Sequence, residues 1–260
     1  MPVNAKLRSE LITLVPHGLV ATRQWLMAQG LSGHSLDNLV KSKQLISLSH
    51  GVYKRPETKL EWQGLARSFQ HMGNDLTVGG LTSLSLQGYE HYVSMSAHKS
   101  VYLYGSDKLP AWANKVVENT VFIYHSHSRL IKKKDSLGEF TTEIPWLNDD
   151  PPMKVSSLEL ALFEILLDVP NKFSFEHADQ LMQGLLSLSP GRLDSLLKKI
   201  TSVKVKRLFF YLADLNQYQW RGKLSPDDYD LGKGKRVLAK GGRLDKRYQI
   251  TVPEALYGQE

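Results

Sequence analysis

Three short stretches hold residue types capable of chemistry, and each lacks a partner that the chemistry requires. His125-Ser-His127 sets two imidazoles two residues apart, on one side of a strand and near enough to share a metal. No carboxylate or third histidine stands at a matching spacing, so the pair reads as surface histidine. Gly105-Ser106 follows an apolar run, as in nucleotidyltransferases, but those enzymes need paired metal-binding carboxylates shortly downstream. The nearest Asp-x-Asp, Asp228-Tyr-Asp230, lies far along the chain. Gly232-Lys-Gly-Lys-Arg236 has neither the spacing nor the hydroxyl of a Walker loop, and Val237 stands where the dinucleotide fingerprint needs its third glycine. It reads as a basic turn whose backbone could still meet a phosphate. Ser, His and Asp occur without a Gly-x-Ser-x-Gly elbow. There is no cysteine, hence no disulfide framework and no thiolate metal site. The expectation is a protein that is not an enzyme and holds no cofactor and no metal.

Binding chemistry is better provided for. Between Ala21 and Arg55 stand Arg23, His34, Ser35, Asn38, Lys41, Lys43, His50, Lys54 and Arg55. Short hydrogen-bonding groups suit base edges, and Lys or Arg suits phosphates. The elements that must position them follow from spacing. Residues 21–30 predict a short helix ending on Gly30, and Ser32 to Gln44 predicts a second, with Ser32 as its N-cap. In that second helix Leu36, Leu39 and Val40 share one apolar face, leaving His34, Ser35, Asp37, Asn38, Lys41 and Lys43 opposite. Asp37 repels phosphate on that face unless it meets a cytosine amine or a neighbouring cation. Leu45 to Arg55 predicts a two-stranded hairpin turning around Ser49 to Gly51. Helix, tight turn, helix and basic hairpin is the layout of a winged helix-turn-helix, which places one helix in a DNA groove.

The 260 residues suit two domains, or one large one. No run of about 18 apolar residues occurs, and the start lacks a signal peptide's apolar stretch, so a cytoplasmic protein with no membrane partner is expected. Net charge is +7, unevenly spread. Residues 1–56 carry seven Lys/Arg against two Asp/Glu, residues 57–189 eleven against sixteen, and residues 190–250 fifteen against six. Two basic segments flank an acidic one, and basic segments attract polyanions.

Leu7, Leu11, Leu14 and Val15 predict a first helix before Pro16, and Leu60 to Met72 and Leu81 to Leu86 predict two more after the hairpin. Val101 to Tyr104, Val121 to Tyr124 and Phe140 to Ile144 read as strands, with a helix from Pro110 to Val117. Asn148 to Pro152 reads as a loop. A helix follows with Ser156 as N-cap and Glu159 completing a capping box. Helices over 174–186, 190–200 and 203–215 come next, then strands at 236–239 and 248–252. The fold class expected is α+β: a winged helix-turn-helix within residues 1–95, then a larger mixed domain over 96–260.

Three stretches, Leu45-Ile-Ser-Leu-Ser-His-Gly-Val-Tyr-Lys-Arg-Pro56, Leu81-Thr-Ser-Leu-Ser-Leu-Gln-Gly88 and Val155-Ser-Ser-Leu-Glu-Leu-Ala161, resemble the AbiEi antitoxins, the regulator half of type IV toxin–antitoxin systems that bacteria use in abortive infection against phage. The resemblance implies repression of the protein's own operon through inverted repeats. It also implies neutralisation of a nucleotidyltransferase-like toxin, without requiring a stable complex. The basic C-terminal segment, through Lys198, Lys199, Lys204, Lys206, Arg207, Lys233, Lys235 and Arg236, is the expected antitoxin surface on charge alone. Two other readings stay open: a plain transcriptional regulator whose C-terminal domain senses a ligand or partner, and a scaffold whose winged helix binds protein.

Overall fold

A computed structural model describes residues 5–57, 59–89, 98–132, 138–146, 151–216 and 218–256. The side chain of Leu7, the expected boundary at residue 95 and the Asn148 to Asp150 part of the expected loop lie outside the described residues. The fold is α+β, with an N-terminal winged helix-turn-helix and a larger mixed α/β C-terminal part.

The N-terminal module runs α1 (Ala5–Leu14), β1 (Val20–Thr22), α2 (Arg23–Ala28), α3 (Gly33–Lys41), β2 (Ile46–Ser49) and β3 (Val52–Lys54). Its core is Leu11, Val15, Ala21, Leu26, Leu31, Leu36, Leu39, Leu45 and Tyr53. Leu11, Leu26, Leu36 and Leu39 come from the apolar faces of the three helices, Ala21 from β1, Tyr53 from β3, and Val15, Leu31 and Leu45 from the segments between elements. One expectation needs correcting. Ala21 and Thr22 are not helical: with Val20 they form a third strand, and the sheet order is β1-β3-β2. Thr22 then serves as N-cap of α2, its hydroxyl accepting from Trp25 N at 3.2 Å. A β-branched residue with a short hydroxyl suits both a strand end and a cap. The hairpin is where the sequence puts it, with a bulge between Ser47 and Ser49 and Gly51 at φ +67°.

Five further strands form a sheet in the order β6-β5-β4-β8-β7. They are β4 (Leu76–Val78), β5 (Lys99–Gly105), β6 (Thr120–Ser126), β7 (Thr141–Ile144) and β8 (Met153–Ser156), with β4 and β8 parallel and Val78 opposite Val155. β4 and β8 carry no sequence forecast; each is three or four residues long, too short for a period-2 pattern to register. A third sheet, β10-β11-β9, joins β9 (Arg236–Val237), β10 (Arg243–Asp245) and β11 (Ile250–Val252). The remaining helices are α4 (Trp62–His71), α5 (Gly80–Leu86), α6 (Ala113–Val116), α7 (Leu158–Asp168), α8 (Phe175–Gly184), α9 (Pro190–Lys199) and α10 (Val203–Leu215). The helix expected over 110–117 is only the single turn α6.

Contacts group the chain into two compact units, each assembled from separated stretches. Unit 1 holds residues 1–77, 96–124 and 143–154. Within it α4 is the hub. Gln70 donates to Lys154 O at 2.8 Å and accepts from Lys154 N at 3.0 Å, pairing with backbone as a strand neighbour would. Phe69 and Trp112 rings lie 5.6 Å apart. Gly64 is there because a Cβ would sit 2.1 Å from Gly18 O.

Unit 2 holds residues 78–95, 125–142 and 155–260. Every residue of α7 except Leu158 is buried, and α5, α8, α9 and α10 pack around it. A helix apolar on nearly all sides has to be central. Its N-cap is Ser157, which accepts from Leu160 N, and not Ser156, which ends β8 with its side chain inside. Glu159 is therefore released from a capping box and instead accepts from Ser189 N at 3.0 Å, where α9 begins.

Candidate nucleic-acid interface

The third helix of the module, α3, is held by its apolar side. Leu36 and Leu39 are fully buried and Val40 packs against the same core. The helix starts on Ser32, whose Oγ accepts from Ser35 N at 3.0 Å and lies 2.8 Å from Ser35 Oγ. It ends at Ser42, after which Lys43 adopts φ +56° and the chain turns into β2. Lys43 thus sits in the turn and not on the helix. His34, Asn38, Lys41 and Lys43 are exposed, and Ser35 is half-buried. On the hairpin His50 is exposed at the turn, while Lys54 and Arg55 are half-buried.

Arg23 does something other than wait for a phosphate. Its Nη1 donates to Asp37 Oδ1 at 2.7 Å and to Tyr53 OH at 3.3 Å; its Nη2 donates to Gly33 O at 3.3 Å and to Asp37 Oδ2 at 3.5 Å. One guanidinium therefore ties α2 to both turns of α3 and to β3. The hydrogen bond from Arg23, with its charge, holds the Asp37 carboxyl below the usual carboxylate range, and Asp37 in turn raises Arg23. Asp37 thereby meets the neighbouring cation that the sequence left open. The Arg23 backbone also donates to Gly51 O at 2.7 Å, fixing the hairpin turn to the start of α2. A Cβ at Gly33 would approach Arg23 Nη2 to 2.9 Å and push the guanidinium aside.

The expected antitoxin cations divide three ways. Lys206 and Arg207 are 4% and 3% exposed, so they are not surface groups: α10 turns them inward, and burial lowers both pKa values. Lys198, Lys199 and Lys204 are engaged: with Asp194 at 2.8 Å, with Glu139, and with Leu167 O at 2.8 Å. Lys233, Lys235 and Arg236 are exposed.

The two histidines also need correcting, because they are buried rather than on the surface. His125 Nδ1 lies 3.0 Å from Asp168 Oδ2, and His127 Nε2 lies 3.0 Å from Glu164 Oε1. Burial opposes charge on Asp168, but His125 and Arg129 outweigh it and lower its pKa. Glu164 further accepts from Ser156 Oγ at 3.0 Å and Gly80 N at 2.7 Å. Only His125 is on β6, and His127 opens the 3-10 turn that follows it; the acids Glu164 and Asp168 are four apart on α7, about 6 Å, so the two pairs can meet side by side. Among the described residues no three His, Cys, Asp or Glu groups gather to hold a metal, and no helix is long and apolar enough to cross a membrane.

Comparison with known proteins agrees with this layout. Residues 4–95 match the family model described as the transcriptional regulator AbiEi antitoxin N-terminal domain. Residues 98–253 match the model described as the transcriptional regulator AbiEi antitoxin, type IV TA system. The crystal structure of the RV2827C protein from Mycobacterium tuberculosis is similar at 16% identity and a TM-score of 0.55, over 95% of this chain and 90% of that one, which is a likeness of fold. No curated protein matches the chain.

Proposed function

Because this chain belongs to the AbiEi antitoxin family of type IV toxin–antitoxin transcriptional regulators, we propose that it represses its own toxin–antitoxin operon by binding inverted repeats, and that it neutralises a nucleotidyltransferase-like toxin in phage defence. The observation that carries the DNA half is the fixing of α3: two leucines fully buried on one side, with His34, Asn38 and Lys41 exposed. In this reading His34, Ser35 and Asn38 read bases, and Lys41, Lys43, His50, Lys54 and Arg55 meet phosphates. Arg23 holds the reader in shape. The DNA-binding part spans residues 1–95 and the antitoxin part 96–260. The protein works in the bacterial cytoplasm, needs no cofactor, and catalyses nothing.

A gel shift with the promoter upstream of the gene, at two salt concentrations, tests the repressor. Specific binding that weakens with salt supports it; equal binding to promoter and scrambled duplex contradicts it. Co-expression tests the antitoxin: the chain should restore growth to cells making the nucleotidyltransferase encoded beside it. Growth arrest that persists, with the chain present at wild-type level, contradicts that half.

A further inference from the structure

We propose that the cleft walled by α2, the hairpin turn and the end of α4 is an effector site for an uncharged, planar aromatic molecule, and that filling it tightens the hold on operator DNA. The proposal rests on the DNA-binding reading and adds a regulator to it. The cleft lies within unit 1 and encloses about 860 Å³, inside the range of roughly 300–1,000 Å³ usual for small-molecule sites. Its walls follow from the sequence of α2. That helix turns Leu26 into the module's core, which leaves Gln24, Met27 and Ala28, at i, i+3 and i+4, on a face that lines the cleft. The core takes Leu26 and part of Trp25 but leaves Met27 49% exposed. Phe69, Met72 and Trp112 add to the lining, with the Phe69 and Trp112 rings 5.6 Å apart. Aromatic faces and soft thioethers accept a flat ring and adapt to its outline.

The lining also sets the ligand's charge. Residues 1–56 are strongly basic, yet among the described residues Arg23 is the one charged side chain of the cleft, counting histidine as neutral. Its guanidinium is already committed to Asp37, Tyr53 and Gly33. An anion entering the cleft finds no free counter-charge, and a cation finds no carboxylate, so either would be desolvated without compensation. Recognition falls to the exposed amides of Gln24 and Asn74 and the exposed imidazole of His50, whose side chains make no hydrogen bond among the described residues. Amides and imidazole both donate and accept, which suits ring nitrogens and carbonyls of a neutral heteroaromatic. The cleft also reaches the joint that sets the reader. Arg23 N donates to Gly51 O at 2.7 Å, both residues line the cleft, and the Arg23 side chain braces α3 through Asp37 and Gly33. A ligand held between α2 and the hairpin turn binds this arrangement and not one in which the two part, so it favours the braced α3. By linkage, operator DNA must tighten the ligand by the same factor.

The test uses the full chain and three fluorescent probes: 2-aminopurine and riboflavin, both uncharged, and flavin mononucleotide, which is riboflavin with a phosphate. Probe anisotropy without DNA reports binding. Riboflavin should bind, and flavin mononucleotide should bind at least about tenfold more weakly. M27E sets a charge on the exposed wall and should weaken riboflavin at least about tenfold with an unchanged thermal midpoint. M27L keeps the wall apolar and should stay within about threefold of wild type. Saturating riboflavin should tighten binding to the promoter duplex about five- to tenfold, leave a scrambled duplex unchanged, and do neither in M27E. Failure of riboflavin and 2-aminopurine to bind at about 0.2 mM, equal binding of flavin mononucleotide, or full riboflavin affinity in M27E overturns the site. Riboflavin binding that leaves promoter affinity unchanged, or lowers it, overturns the effector role. A dimer in sedimentation that M27E and riboflavin each dissociate shows a second copy of the chain in the cleft, and overturns the proposed occupant. A chain that binds riboflavin but never distinguishes promoter from scrambled duplex sinks the DNA-binding reading and leaves the site standing.

Discussion

Replacing Asp37 by Asn distinguishes two jobs for the carboxylate on α3, the helix proposed to meet DNA. If Asp37 only repels phosphate, its neutralisation strengthens binding to every duplex. If it is one end of a clamp, neutralisation loosens α3. The geometry supports the clamp: two of the four side-chain hydrogen bonds made by Arg23 end on Asp37, the other two on Tyr53 OH and Gly33 O. D37N removes the charge from the half that holds the shortest bond and leaves the two 3.3 Å bonds to uncharged acceptors. Phosphate contacts position a protein and base contacts specify sequence, so a loosened α3 loses specificity before it loses charge. The expected result is a promoter-over-scrambled affinity ratio down about tenfold, with the salt slope unchanged because no phosphate contact is lost. R23A should behave alike. Were Arg23 a phosphate contact, R23A would instead flatten the slope by about 0.9 and spare the ratio. Equilibrium titrations of both variants on both duplexes at four salt concentrations give slope and ratio together. A D37N variant that binds both duplexes more tightly, at an unchanged ratio, refutes the clamp.

Other outcomes follow from the same structure. K41A/K43A should weaken binding to all sequences and flatten the slope by about 1.8, read by the same titrations; an unchanged slope counts against the interface. L36A should cost about 2–5 kcal/mol in urea unfolding, because its side chain is fully enclosed in the module's core. G64A should lose soluble protein altogether, since the new Cβ would sit 2.1 Å from Gly18 O, a backbone atom with little room to yield. Asp168 has a depressed pKa in the folded chain, so its contribution is present above the unfolded carboxylate value and is lost as pH falls through the folded one. Urea midpoints measured from pH 6 to pH 2.5 should therefore fall less steeply in D168N than in the wild type.

What the sequence made legible was what periodicity encodes. The apolar faces of α3, α4 and α7 to α10, and the hairpin with Gly51 at its turn, stand where spacing put them. What stayed hidden was local choice and long-range pairing. Thr22 fits a strand end and a helix cap equally, so the start of α2 was read too early. Ser156 and Ser157 are adjacent candidates for one cap, and only packing against Glu164 decides between them. Lys206 and Arg207 carried charge that composition assigned to the surface, yet α10 buries both. In the candidate site, exposure of His34, Asn38, Lys41 and His50 was readable from helix phase and turn position, whereas Arg23's engagement with Asp37 joins residues fourteen apart that no periodicity links.

The scattered make-up of unit 1 has a consequence for how the chain is born. The winged-helix core closes with residues up to Met72, so it is complete early in synthesis. The opposite side of α4 must wait for Trp112 and then for Lys154, which lies past the middle of the polypeptide. On a ribosome adding roughly 5–20 residues per second, that interval lasts several seconds, during which the nascent reader carries an uncovered aromatic flank. A message cut short within that window yields a product with a formed α3 and an unfinished body, prone to stick or be degraded rather than to repress.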